Sequence, residues 1–399
     1  MKKLNILLGA MLVIVICFLM VNIATQFKGG RYPELNYLKN NNKLEFKDLQ
    51  IYFKKIAQEK GAEYAFSILK IADLPPNTDI HLLAHTVGDI LYKQQGMQGI
   101  KVCTQDFRNA CSHSIVVGLF IDRGISALQD IANICRSAPG GIGAYGMCFH
   151  GLGHGILAYT GYDMTKAVSY CSQIGTPARH FVETSECVGG TMMEMIGGVH
   201  DPIAWQRQKD KYLKVNDPLF PCNQNFIPDI AKENCYNYLT PHLWEVAGGD
   251  LGNPTEADFA KSFKYCSKLS GEESAYQESC YGGFGKEFVA LAQSRDIRRT
   301  EQMNQSQLKT IYNWCLLAED TDGISACIHQ VVNSLYWGGE NKPDSAVTFC
   351  GQADNDQFRN VCFSQLIGNF KYYQKPSRLF GLCNTLPDNY KKECRAKNI

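Results

Sequence analysis

The stretch DMTKAVSYCSQIGTPARHFVETSECVGG, residues 163–190, sets out the unit from which the chain is built. Asp163 opens a helix, because its short side chain can accept from an otherwise orphaned backbone N–H. That helix runs to Tyr170 and ends at Cys171, with Ala167 one turn earlier, small enough for close helix contact. A loop follows, and Cys187 then enters a second helix that begins Cys187-Val188-Gly189-Gly190. The two cysteines staple the turn of a helical hairpin.

The same order recurs. Helices expected from Glu256 to Cys266, Ser306 to Cys315 and Asp344 to Cys350 each end in an aromatic residue followed by cysteine. Second helices start at Cys111-Ser112-His113, Cys148-Phe149-His150, Cys280-Tyr281-Gly282 and Cys362-Phe363-Ser364. Sixteen of the 17 cysteines form eight successive pairs. They are Cys103 with Cys111, Cys135 with Cys148, Cys171 with Cys187, and Cys222 with Cys235. Then come Cys266 with Cys280, Cys315 with Cys327, Cys350 with Cys362, and Cys383 with Cys394. From Cys111 to Cys394 the second cysteines step by 32 to 48 residues, the period of helix-pair repeats. In architecture, roughly residues 45–399 resemble tetratricopeptide and Sel1-like arrays, although the signature residues of those families are not met in register.

An even cysteine set at regular spacing reads as a disulfide framework made in an oxidising compartment. Structural zinc would favour cysteines two to four residues apart, and no Cys-x-x-Cys occurs. Each closed loop stabilises by roughly 2–3 kcal/mol, which offsets the ~1 kcal/mol that each glycine costs inside a helix.

The amino terminus fits export. Lys2 and Lys3 precede an apolar run from Leu4 to Ala24, broken only by Asn5 and Asn22 and holding the leftover Cys17. Such a run is long enough to span a bilayer, and the basic flank stays in the cytoplasm. No clear cleavage site follows, so the run reads as an uncleaved signal anchor. The expected organisation is an N-terminal transmembrane anchor at 1–24, a polar tether at 25–45, and an extracytoplasmic cysteine-rich helical-repeat domain at 46–399. The first helix of that domain is expected from Phe46 to Lys60. The fold class is all-α, an α-solenoid of about eight disulfide-stapled hairpins after the membrane helix. The insertion at 199–221, with its basic residues Arg207, Lys209, Lys211 and Lys214, reads as a solvated loop.

Net charge is +1, so no global field favours nucleic acid. Phosphate-loop and nucleophile-elbow motifs are absent. The chemistry-bearing residues lie instead on the second helices. Two positions after the second cysteine stand His113 and His150, and six positions after it stand His154, Lys286 and Asn333. Residues four apart share a helix face, so these positions form a polar stripe expected on the concave side. His81 and His85 repeat the four-residue spacing of His150 and His154 on a segment from Asp79 to Asp89 that lacks cysteines. His81, His85, His113, His150 and His154 are therefore expected to gather at one end of the stripe, as candidate ligands for a transition metal (zinc, copper or iron). Glu194 is the expected acid/base or acidic neighbour. His180, His200, His242 and His329 read as scattered structural or solvated residues. The leading functional expectation is a membrane-anchored protein, held by residues 4–24, that binds a protein or envelope ligand on its concave face. The second is a metal-dependent enzyme built on the histidines of the first three repeats.

Overall fold

Eight disulfides and a row of glycine-rich helices set the architecture. The computed structural model describes residues 32–138, 141–174, 179–250, 252–269, 274–337 and 342–398. The fold is all-α, with no strand among the described residues. The helices are α1 (Pro33–Asn40), α2 (Phe46–Lys60), α3 (Ala62–Ile71), α4 (Ile80–Gln95), α5 (Ala110–Arg123), α6 (Leu128–Ser137) and α7 (Gly141–Tyr159). They continue with α8 (Met164–Cys171), α9 (His180–Gly197), α10 (Pro202–Tyr212), α11 (Asp229–Val246), α12 (Glu256–Cys266) and α13 (Ser274–Ala292). The last are α14 (Gln305–Leu316), α15 (Thr321–Leu335), α16 (Asp344–Gly351), α17 (Asp356–Tyr373), α18 (Pro376–Cys383) and α19 (Asp388–Asn398).

The helix starts follow capping chemistry. The carboxylates of Asp79 and Asp163 accept from Leu82 N and Lys166 N at the heads of α4 and α8. Asn304 and Gln307 close a capping box on α14. The expected first helix is α2. Within the stretch read as a tether, α1 is helical and docked: Leu38 is buried, and Glu34 accepts from Tyr64 Oη at 2.9 Å and pairs with Lys60.

All eight cysteine pairs form in the expected register, with Cα atoms 5.4–5.6 Å apart. Two hairpins depart from the simple pattern. Cys103 follows a 3-10 segment, Gly96–Val102, and Cys222 lies in turns between α10 and α11. The insertion is not a plain loop. It holds α10, whose Tyr212 is buried and donates to Asp163, while Trp205 Nε1 donates to the Met195 carbonyl. The membrane anchor expected at 1–24 lies outside the described residues. Among those described, no helix is long and apolar enough to cross a membrane.

The second helices form a continuous inner row, α4, α5, α7, α9, α11, α13, α15 and α17, each packed on the next. The row is not an open array. α17 returns to α7, and the segment after α13 returns to the start of the row. There Arg295 pairs with Asp79 at 2.8 Å, and Arg298 donates to the carbonyls of Leu69 and Ala72. The polar stripe expected on an accessible concave side is therefore largely buried inside the row.

Glycines set the inter-helix distance. A Cβ on Gly153 would stand 2.0 Å from the Cys187 carbonyl oxygen, and one on Gly190 would stand 1.9 Å from that of His150. Gly151 and Gly155 face α5 in the same way, at His113 and Val117. Both obstacles to Gly153 and Gly190 are backbone, so no side chain can move aside. Gly190→Ala should lower stability by ~1–3 kcal/mol through overpacking. Gly351→Ala, at a position with nothing within 4 Å of the added carbon, should be neutral or slightly stabilising. Equal thermal midpoints for the two variants would contradict this account of the α7–α9 contact.

Candidate metal centre

Four inner helices converge on one buried group of imidazoles. α4 supplies His81 and His85, α5 supplies His113, and α7 supplies His150 and His154. The reach of α9 adds a sixth, His200, which the sequence left among the scattered residues. Ring centroids of neighbouring members lie 4.7–6.0 Å apart. All five expected histidines are buried.

His200 arrives through local geometry at the end of α9. Gly198 takes a left-handed φ of 61° and turns the chain back, a conformation glycine adopts without strain. A Cβ there would meet the Trp205 ring. The turn brings Val199 N and His200 N to Glu194 Oε1 at 2.9 and 3.0 Å, and His200 Nδ1 to Oε2 at 2.9 Å. His154 Nδ1 reaches the same Oε2 at 2.9 Å, and Tyr162 Oη donates to Oε1. Five donors on one carboxylate use up its roughly four lone pairs. Glu194 is therefore arranged to orient His154 and His200, with no capacity left over for a substrate proton.

The proton positions follow from the partners. The Nδ1 atoms of His154 and His200 face a carboxylate and so carry hydrogen; Nε2 of the neutral His154 ring is then bare, while Nε2 of His200, which Glu194 keeps protonated in the metal-free chain, carries a proton that a metal would have to displace. Those two Nε2 atoms are buried with no hydrogen-bond partner, as are His150 Nδ1 and both ring nitrogens of His113. His81 Nδ1 lies 2.7 Å from the Phe107 carbonyl, an acceptor only, so it is the donor and Nε2 is bare. Ser114 Oγ lies 3.2 Å from His85 Nδ1 and 3.1 Å from the His85 carbonyl oxygen. His85 Nε2 lies 3.2 Å from His81 Nε2, within hydrogen-bond distance when His85 carries its hydrogen there. Two nitrogens bound to one tetrahedral ion at about 2.0–2.1 Å would be roughly 3.3 Å apart.

Two further groups frame the cluster. Asp89 follows His85 by one turn on α4 and lines an opening together with His200. Burial pushes its carboxyl up, against the pull of His200. On the opposite side, His150 Nε2 lies 3.4 Å from Met193 Sδ, and Glu186 approaches His150 at 3.9 Å. Burial raises the Glu186 carboxyl to about 7. His81, His113 and His150 line a small cleft with Arg108, Lys286 and Arg295, so the cluster is reachable from outside the core.

Of the remaining histidines, His180 hydrogen-bonds the Ile174 carbonyl, His242 reaches the Lys214 carbonyl, and His329 lies 3.7 Å from Glu278. None of these contacts is with the cluster. Asp89 and His200 were the residues sequence reasoning missed. For Asp89 a signal existed, since His81, His85 and Asp89 continue one four-residue series. For His200 it did not, because its approach depends on a turn rather than on helical spacing.

Two triads, His81 with His85 and His113, and His154 with Glu194 and His200, each bring candidate ligand atoms within 4.8 Å of one another. No protein-family model matches the chain, and neither a curated protein nor a solved structure matches it. Fold and site define a disulfide-stapled helical-repeat protein with a buried histidine cluster, and the eight bridges point to an extracytoplasmic or secreted domain.

The electrostatics make the metal-free domain pH-sensitive. Burial holds His81 down to about 4 and keeps His85, His113, His150 and His154 below the ordinary range. Burial also opposes charge on His200, but Glu194 overcomes it and lifts His200 to about 9. The unfolded chain titrates all six near 6.5. As pH falls from about 6.5 towards 4, the unfolded chain takes up protons that five of the folded imidazoles refuse, so stability falls. The His200 contribution is full below about 6.5 and fades as pH rises through about 9. Chelator-treated protein should melt highest between those limits, with the steeper loss on the acid side. A melting temperature that is flat or rising on acidification contradicts the buried neutral cluster.

Proposed function

We propose that the protein is a membrane-anchored, extracytoplasmic metal-dependent enzyme. Its histidine centre holds a first-row transition metal (zinc, copper or iron), with the residues 4–24 run as the anchor. The observation that carries this is the set of buried imidazole nitrogens without partners on His113, His150, His154 and His200, with the His154 and His200 rings each held by Glu194 through the other nitrogen. Metal-binding histidines characteristically donate their second N–H to a carboxylate or carbonyl, and here Glu194 and the Phe107 carbonyl fill that place. The ligands on this reading are His81, His85, His113, His154 and His200, with Glu194 as the orienting group. Neutral imidazoles suit these ions, and all 16 cysteines of the domain are tied in disulfides.

Access favours catalysis over a purely structural ion. A structural site is closed, whereas a catalytic one keeps a position open to ligand. The cleft at His81, His113 and His150 supplies such an approach. It suits a small molecule or a narrow part of a larger one. A bound ion there would polarise an oxygen of the ligand or lower the pKa of a coordinated water.

Elemental analysis of the natively purified full chain tests the proposal. At least one first-row metal ion per chain is expected, retained in His329→Ala and lost in both His85→Ala and His154→Ala. Glu194→Gln should weaken metal binding by roughly 10–100-fold. A wild-type chain free of metal, or full metal content in both histidine variants, overturns it. The same preparation tests the anchor: the chain should stay with membranes in alkaline carbonate, and release by carbonate alone would remove that part.

A further inference from the structure

A second cleft, of about 180 Å³, adjoins the histidine centre and is lined by side-chain amides. Asn109 stands at the head of α5, Asn234 and Asn237 come from α11, and Gln330 and Asn333 from α15. Tyr238, Trp337, Tyr372 and Tyr373 add aromatic surface. Met147, Tyr238, Lys286 and Trp337 belong to this cleft and also to the one at His81, His113 and His150, so the two are continuous.

Two of these amides carry an unfilled acceptor. Asn109 occupies the N-cap position of α5, where an asparagine ordinarily accepts from the helix. Its side chain makes no cap hydrogen bond. Its Oδ1 is instead buried without a partner, as is the Oδ1 of Asn237, and the two residues are 2 % and 9 % exposed. A buried polar atom left without a bond is costly, so two on one cleft point to a ligand that supplies donors. On the far wall the Asn333 amide is held rigid. It accepts from Gln365 and Asn369 and donates to Gln330.

The chemistry selects the ligand. Apart from the tyrosines, the ionisable groups on this cleft are Glu186, which burial raises to about 7, and Lys286, which is paired with Glu287 at 3.2 Å. A strongly anionic or cationic ligand has no compensating field. Amides offer both donor and acceptor, which matches hydroxyl groups, and the aromatic walls match the C–H faces of a ring.

We infer that the cleft binds a ring of a neutral, hydroxyl-rich oligosaccharide and presents it to the histidine centre. As the substrate class of the metal chemistry this rests on the proposed function. As a binding site it stands on the cleft alone.

Saturation-transfer NMR on the full chain in a sugar-free detergent tests it, with cellotriose, maltotriose and N,N′,N″-triacetylchitotriose as probes and trigalacturonate as the acidic control. Metal-loaded and chelator-treated protein are compared, and metal content is measured separately. At least one neutral probe should receive saturation in both forms, with trigalacturonate weaker. Asn109→Leu and the partly exposed Gln330→Ala should each weaken that probe about tenfold, the effect of one lost hydrogen bond, with unchanged disulfides and helical circular dichroism. No transfer to any neutral probe, equal transfer to trigalacturonate, or undiminished binding in Gln330→Ala and Asn109→Leu overturns the inference. Metal without sugar binding removes this inference alone, and sugar binding without metal removes only the proposed metal chemistry.

Discussion

The backbone contact between α7 and α9 governs the rest of the molecule. Gly153 and Gly190 let the two helices touch at the carbonyls of Cys187 and His150. Side chains of ordinary size on that seam would hold helix axes at the usual 8–10 Å. His154 would then fall short of Glu194, and the link between α7 and the Glu194–His200 turn at the end of α9 would be lost. Glycine inside helices costs stability in isolation. Here the Cys135–Cys148 and Cys171–Cys187 bridges restrain the same two helices, so the fold tolerates the cost where it needs close approach.

Electrostatics follow from that packing. Most of the imidazoles are too deeply buried to carry charge, and a group of neutral rings with unprotonated nitrogens facing inward is an unusual thing to bury. The exception is the pair His200 and Glu194, in which the carboxylate lies well below its usual range because of His200 and His154. One charged pair sits at the edge of an otherwise neutral cluster and fixes its orientation. The amide-lined cleft and the histidines share the wall formed by Met147, Tyr238 and Lys286, so binding and chemistry would occupy neighbouring parts of one interior.

The repeat was legible because cysteine spacing, capping residues and helix-ending aromatics are all local signals. The segments from Glu256 to Cys266 and from Phe46 to Lys60 fall where capping and periodicity put them. The bridge pairing followed for the same reason. The joining of His81 and His85 with His150 and His154 was also foreseeable, because equivalent positions of stacked units face one way. Closure of the row was not, since it depends on Arg295 meeting Asp79 across 216 residues. The concealment of the polar stripe follows from that closure. Glu194 was recognisable as an acidic neighbour, but its saturation by five donors depends on the Gly198 turn and on Tyr162, which no helical spacing encodes.

The central claim is that imidazole nitrogens, and no sulfur, surround a metal ion in this interior. X-ray absorption at the metal edge of the natively purified protein tests it directly. The account predicts a shell of nitrogen or oxygen scatterers at about 2.0–2.2 Å, with outer-shell scattering from at least three imidazole rings. Sulfur at about 2.3 Å, or a first shell without imidazole scattering, would contradict it.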